Sequence, residues 1–224
     1  MAKKFFVTGT DTEVGKTFVS CAILEKAKQA NLKTGALKPI AAGGFDDEGI
    51  IKNEDAVALS NAMTLTLPYQ SINPVILKEP IAPHIAAEKE GKKLSASRLH
   101  GFAQGALLNR ADLWLVEGAG GWFVPLNQRE TLADFAVQLN VPVILVVGVR
   151  LGCLNHALLT AQAIAQSGLP LAGWVANCLD SEAAYTEENI ETLKGRIRAP
   201  LLGVVPKCES PVEAATYISL EALL

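Results

Sequence analysis

The sequence predicts an α/β fold, a parallel β-sheet covered by helices on both faces. Short apolar runs of strand length alternate with stretches of helical period along the whole chain, the pattern of repeated strand–helix–strand units. The first run, Phe5 to Thr8, passes through a glycine-bounded loop straight into a helical segment. Polar residues recur where apolar runs stop, at Lys38, Glu117 and Asn177, and ligands in such sheets bind beyond the carboxyl ends of the strands. At 224 residues the chain fits one domain, 1–224, with no repeat, low-complexity tract or linker to divide it.

Phe5 to Thr8 reads as a buried strand and Phe18 to Lys28 as a helix with an apolar face. Lys33 to Lys38 reads as a second strand, closed by Pro39. Ile40 to Asn53 reads as loop, from the small residues Ala41 to Gly44 and the acidic run Asp46-Asp47-Glu48. A short helix is expected over Glu54 to Ala62. Ile72 to Leu77 suits a strand that Asn73-Pro74 confines to an edge or a bent path. Helical material after Pro83, then an amphipathic helix from Ala96 to Leu108, leads to Leu113–Gly118, expected as a central strand ending in an acid. A helix over Thr131 to Leu139 and the most apolar strand, Pro142 to Val149, come next. Helix Leu154 to Ser167, strand Leu171 to Asn177, helix Glu187 to Ile197 and strand Pro200 to Val205 complete the alternation. Trp122 and Trp174 are most simply core or interface residues.

Half of the residues are apolar and 19% are charged, enough to build a sizeable core. A net charge of −3 and a pI near 5.7 argue against general nucleic-acid binding, which needs a basic face. The first apolar run is broken within four positions, unlike a signal peptide. The longest apolar run, Val141 to Val149, is far too short to span a bilayer. Cys21, Cys153, Cys178 and Cys208 have neither zinc-ligand spacing nor a disulfide-framework pattern. Free thiols in a reducing cytoplasm are the expectation.

The chemistry centres on Gly9-Thr10-Asp11-Thr12-Glu13-Val14-Gly15-Lys16-Thr17. A glycine-bounded loop between strand and helix turns several backbone N–H groups inward, and the helix adds the positive end of its dipole. Lys16 can reach the β- and γ-phosphates of a nucleoside triphosphate, and the Thr17 hydroxyl can hold Mg²⁺. Five residues rather than the usual four separate Gly9 from Gly15, so this is a lengthened phosphate loop on a P-loop NTPase-like sheet. Glu117 stands where P-loop proteins place a metal-associated carboxylate, or it only orders the turn over Gly118 to Gly121. Lys38 is either an ordinary strand exit or an anion-stabilising group beside the loop. Asp55 is either part of the site or a plain N-terminal helix charge. Cys153, Asn155 and His156 open a helix whose N-terminus suits an anion, with Asn155 a candidate cap.

Taken together, Gly9 to Thr17, Lys38-Pro39-Ile40, Glu117-Gly118-Ala119-Gly120-Gly121-Trp122, Gly152-Cys153-Leu154-Asn155-His156 and Gly173-Trp174-Val175-Ala176-Asn177 resemble the dethiobiotin synthetase family, in order and over nearly the whole chain. The resemblance implies an ATP- and Mg²⁺-dependent enzyme of biotin synthesis. Such an enzyme takes up CO₂ as a carbamate of 7,8-diaminononanoate, phosphorylates it with ATP and closes a cyclic urea. It further implies that Thr17, Asp55 and Glu117 form the Mg²⁺ group. Thr12, Glu13, Val14, Gly15, Lys16, Thr17 and Phe18 would wrap the phosphates, alongside Gly118, Ala119 and Gly120. Lys38 and Lys16 would be catalytic, and Asn177, Pro206 and Glu213 would hold the adenine. Gly152, Cys153, Leu154 and Asn155 would hold the carboxylate tail of a substrate bound by the other subunit of a homodimer. The family's Ser or Thr on the substrate is replaced here by Ala42, so the substrate either loses that partner or finds another, in the N–H groups of Gly43 and Gly44 or in a water molecule. The family's tail-binding tyrosine has Asn189 opposite it, with Tyr185 nearby.

Two other readings differ in class. Partition and cell-division-placement ATPases share the architecture but carry an extra lysine where this chain has Asp11. A cobyrinate-type amidotransferase ligase would usually bring a glutaminase domain, for which no length remains.

Overall fold

The computed structural model describes residues 2–180 and 183–224. In chain order the strands are β1 (Lys3–Gly9), β2 (Thr34–Leu37), β3 (Ile40–Ala42), β4 (Phe45–Asp47), β5 (Ile50–Lys52), β6 (Val75–Leu77), β7 (Leu113–Glu117), β8 (Val143–Gly148), β9 (Leu171–Asn177) and β10 (Leu201–Val205). The helices are α1 (Lys16–Gln29), α2 (Glu54–Ala62), α3 (Tyr69–Ile72), α4 (Pro83–Lys89), α5 (Ala96–Ala106), α6 (Leu132–Leu139), α7 (Cys153–Gln166), α8 (Thr186–Lys194) and α9 (Pro211–Ala214), with a final 3₁₀ turn over Ala215–Tyr217.

Six strands form one sheet in the order β10-β9-β8-β1-β7-β2, parallel throughout. Its strands read as nearly continuous apolar runs because both faces are covered. Side chains alternate between the layers, as the two-residue period of a strand requires. Phe5 and Val7 of β1 point into the core beneath α1, while Phe6 points to the opposite side with Trp114, Phe135 and Trp122. There Phe6 packs edge-to-face on Trp122 and Phe135, with ring centroids 6.1 and 5.8 Å away. A third cluster joins Leu145 and Val147 of β8 and Trp174 of β9 to α7 and α8. Trp114 and Trp174 are completely buried.

Three expectations need correction. The segment 40–53 is not plain loop: β3 pairs in parallel with β6, and β4 and β5 form a hairpin over Glu48 and Gly49. Both turn residues have positive φ, 53° and 85°, as a tight two-residue hairpin turn requires. The strand expected from Ile72 begins only at Val75, because Ile72 ends α3. The acid-ended strand β7 is second from the edge, and β8 and β1 occupy the centre.

Candidate active site

The site gathers at the carboxyl ends of β1, β7 and β2, where α1 begins. Gly15 caps α1 with φ 80°, a left-handed conformation that glycine adopts without strain. It also lies against Asn177: a Cβ on Gly15 would sit 2.2 Å from Asn177 Nδ2. That amide donates to the Val14 carbonyl at 2.9 Å. Val14 is buried and wedges over Gly9 and Gly148, where a Cβ would lie 2.5 and 2.9 Å from it. Thr12, Glu13 and Phe18 flank this loop. Glu13 adopts φ 58°, and the Thr12 N–H donates to Asp11 Oδ1 at 2.8 Å.

Lys16 is buried, and its ammonium donates to the Asp11 carbonyl at 3.1 Å. Burial, and then the nearby charge of Lys38, depress its pKa to about 8, against the pull of Glu117, Asp55 and Asp11. Asp11 is braced in turn by Arg150, whose guanidinium donates to Oδ2 at 2.8 Å.

Glu117 is fully buried at the end of β7. Its Oε1 accepts from Thr17 Oγ1 at 2.6 Å and from Lys38 Nζ at 2.7 Å, and its Oε2 accepts from Ser20 Oγ at 2.7 Å. Lys38 Nζ also donates to Asp55 Oδ2 at 2.8 Å and to the Gly118 carbonyl at 3.1 Å. Burial alone would lower the pKa of Lys38, but the Glu117 and Asp55 carboxylates hold it above the ordinary lysine value. Burial would raise that of Asp55, and the Lys38 charge keeps it below the usual carboxylate range. Burial, then Glu117, pushes the neighbouring Cys21 thiol up to about 12, so it is inert. Thr17, Lys38, Asp55 and Glu117 are therefore one connected group, and neither Lys38 nor Asp55 is an isolated surface charge.

Asp55 is held there by α2. Asn53 caps that helix by accepting from the Ala56 N–H at 3.4 Å, while its amide reaches the Ala42 and Gly43 carbonyls at 3.2 and 3.4 Å. The Asn53 N–H donates to Tyr69 Oη at 2.8 Å, Tyr69 donates to Asn73 Oδ1 at 3.2 Å, and Asn73 Nδ2 donates to the Lys38 carbonyl at 2.6 Å. One chain of hydrogen bonds thus fixes the Lys38–Gly43 segment relative to the start of α2.

Several expected placements change. The N–H groups of Gly43 and Gly44 donate to the Glu79 and Leu77 carbonyls at 3.3 and 3.0 Å, because β3 continues alongside β6. They are not free to replace a hydroxyl at Ala42. Asn155 is not the cap of α7: Gly152, with φ 90°, holds that position, and Asn155 stands three residues further on, exposed. The segment Gly152, Cys153, Leu154 and Asn155 follows β8, three strand positions from β2, roughly 14 Å at 4.8 Å per position. The structure does not bring it to Lys38. Pro206 follows β10, whose Val205 lies in register with Asn177. Glu213 opens α9, with Oε2 accepting from the Glu209 N–H at 3.0 Å. Gly118, Ala119 and Gly120 form the turn after β7, facing the phosphate loop, and the Gly118 N–H donates to the Val7 carbonyl at 2.9 Å.

The sequence reading missed Ser20, Asn53, Tyr69, Asn73 and the Asp11–Arg150 pair. Only Ser20 carried a local signal: it lies three residues beyond Thr17, on the same helical face.

The oxygen-rich group suits a divalent cation such as Mg²⁺. Thr17, Asp55 and Glu117 offer hard oxygen donors, and the Lys38 ammonium already stands between the two carboxylates as a cation would. Among the described residues no cluster of three or more His, Cys, Asp or Glu occurs, so this is not an all-protein cage. It fits Mg²⁺ held jointly by a few side chains and by phosphates.

Comparison with known proteins agrees with this geometry. Residues 3–215 match the family described as "AAA domain". The chain is 53% identical to an ATP-dependent dethiobiotin synthetase of Cellvibrio japonicus, covering 100% of this chain and 99% of that protein. It is 51% identical to that of Pseudomonas aeruginosa (98% and 97% covered) and 49% identical to that of Escherichia coli K12 (100% of both). Among solved structures, the Aquifex aeolicus MinC:MinD cell division protein complex gives a TM-score of 0.58 at 12% identity, over 96% of this chain and 85% of that one. A ParA family ATPase of Chlorobium tepidum gives 0.55 at 15%, over 96% and 90%. The signal recognition particle receptor FtsY of Elizabethkingia anophelis gives 0.54 at 14%, over 96% of this chain but only 62% of that one. At such identities these structures show the P-loop NTPase fold alone, whereas the full-length relatives show that this chain belongs to the ATP-dependent dethiobiotin synthetase family.

Proposed function

We propose that the chain closes the cyclic urea of dethiobiotin from 7,8-diaminononanoate, CO₂ and ATP, releasing ADP and phosphate, as a step of biotin biosynthesis in the cytoplasm. The observation that carries this reading is the placement of two buried lysines, Lys16 and Lys38, around the Glu117 carboxylate at a phosphate loop. One amine of the substrate adds to CO₂ and loses a proton, giving a carbamate. A carbamate oxygen attacks the γ-phosphorus of ATP and ADP leaves. The second amine attacks the carbonyl carbon of the mixed anhydride, and phosphate leaves.

The physical difficulty is that carbamate and triphosphate are both anions. Lys16 would face the phosphates and Lys38 the carbamate, so fixed positive charge would meet the charge that moves. Both amines must attack as neutral groups, and nearby cations lower amine pKa values. When bound at Thr17, Asp55 and Glu117, Mg²⁺ would neutralise charge on the phosphates. Thr12 to Phe18 would cradle the phosphates through backbone N–H groups and the α1 dipole, with Gly118 to Gly120 closing one side. Asn177, the Pro206 turn and Glu213 would border the base. Ala42 would border the substrate without donating to it.

The segment Gly152 to Asn155 is read as serving the site of a second copy. Its distance from Lys38 within one chain supports this, as do the exposed apolar side chains of Leu151, Leu159 and Phe123 nearby. No helix among the described residues is long and apolar enough to cross a membrane. The deciding experiment is mass spectrometry of the products after incubation with diaminononanoate, bicarbonate, ATP and Mg²⁺. Formation of dethiobiotin is expected, and ATP hydrolysis without any ring-closed product would overturn the reading.

A further inference from the structure

Along the buried face of α1, Val19, Cys21, Ala22, Ile23 and Leu24 are all apolar or inert. Ser20 is the exception, a fully buried hydroxyl in a dry wall. A serine inside a helix commonly turns its hydroxyl back to the carbonyl one turn earlier. Here Ser20 Oγ instead donates across the core to Glu117 Oε2 at 2.7 Å, while Thr17 Oγ1, one turn before it, donates to Oε1 at 2.6 Å. Two hydroxyls on one rigid helix therefore hold the two oxygens of one carboxylate.

We propose that Ser20 is a positioning residue that locks the plane of the Glu117 carboxylate and thereby sets the affinity of the Thr17–Asp55–Glu117 group for its divalent cation. The terminal torsion of a glutamate is broad and nearly two-fold. A carboxylate anchored through one oxygen can still swing about that anchor. With both oxygens anchored, Oε1 stays committed to the cluster that contains Lys38 and Asp55. Without Ser20, Oε2 would be a fully buried anionic oxygen with no donor from the protein. The carboxylate would then turn to share the donors at Oε1, taking that oxygen away from the cation. Groups that orient metal ligands in this way typically change metal affinity by about 10- to 100-fold. This inference rests on the proposed Mg²⁺ site and deepens it.

The test is Mn²⁺ binding, followed by electron paramagnetic resonance, to the protein carrying a non-hydrolysable ATP analogue. Wild type is compared with Ser20→Ala, Ser20→Cys and Glu117→Gln, with thermal unfolding to establish that each is folded. Ser20→Ala is expected to weaken Mn²⁺ binding about tenfold or more. It should shift the Mg²⁺ dependence of activity to higher concentration, with most of kcat recovered at saturating Mg²⁺. Ser20→Cys keeps a substituent at that position, larger than the hydroxyl and only a weak donor, and should show much the same loss. A Cys variant that binds Mn²⁺ like wild type, beside a weakened Ala variant, would assign the effect to packing and overturn the proposal. Unchanged Mn²⁺ affinity in Ser20→Ala, with a loss in Glu117→Gln, would also overturn it while leaving the metal site standing. Unchanged affinity in Glu117→Gln would overturn the metal site itself, and the role of Ser20 with it.

Discussion

Lys16 is held in two opposing ways: burial strips its ammonium of water, and the chemistry needs it charged. With a pKa of about 8, it is only partly protonated at pH 8.5 in the ligand-free protein. Below pH 8 its charge is retained in both folded and unfolded chains, and burial together with the Lys38 charge then destabilises the fold by on the order of 3 kcal/mol. That penalty is relieved as pH rises from about 8 towards the unfolded lysine value. A triphosphate placed against Nζ favours the charged form, so nucleotide binding at pH 8.5 should take up a fraction of a proton. Calorimetry in buffers of different ionisation enthalpy measures this. The uptake should be absent from Lys16→Met and should fade in wild type near pH 6.5. Lys38 differs, because its carboxylate partners keep it charged throughout this range. In the proposed mechanism both would act where charge moves in the transition state, so Lys16→Ala and Lys38→Ala should each lower kcat at least ~10²-fold in single-turnover kinetics. In the proposed reading, Ala42→Ser would add back a hydroxyl facing the substrate. It should change kcat/KM for the diamine by less than about tenfold, most simply upward, and leave KM for ATP almost untouched.

The short helix α2 contributes Asp55, and its position depends on a hydroxyl in another element. Tyr69→Phe would strand the Asn53 N–H and Asn73 Oδ1, groups that are otherwise paired. A loss of about 1–3 kcal/mol in stability is expected from urea unfolding. Because the Lys38 and Asp55 segments would slacken together, kcat should fall more than KM for ATP rises. Gly15→Ala should be worse, combining positive φ with a Cβ inside the Asn177 amide, and it should abolish detectable nucleotide binding. These elements also show what the sequence could and could not convey. Strand β9 and helix α2 were legible to the residue, because β9 is a short, largely apolar run ended by Asn177 and α2 repeats Ala56, Leu59 and Ala62 at helical spacing. The hairpin of β4 and β5 was not, since strands of three residues are too short to carry a period and β4 is mostly Asp. Phosphate loop, Glu117 and Lys38 announce themselves by spacing and by their place at strand ends. Tyr69 and Asn73 do not, because their role is a pairing between segments far apart in the chain.

At the scale of the molecule, the parallel sheet puts most of the proposed contacts at its carboxyl end but spreads them over all six strands, with Asp55, Ala42 and Glu213 added from outside it. In the proposed reading, the segment after β8, three strand positions from β2, serves the substrate held by a second copy. Hybrids of Lys16→Ala subunits with subunits disrupted at Asn155 should therefore regain activity once the subunits exchange. No recovery under proven exchange would confine the site to one chain. The same end of the sheet has a second long-range tie. Asn177, at the end of β9, reaches past β8 to the carbonyl of Val14, so the side chain expected beneath the base also sets the shape of the phosphate cradle. Recognition of the base and grip on the phosphates are then not separable by mutation. Asn177→Ala should weaken binding not only of ATP but also of inorganic triphosphate, a ligand with no base to recognise.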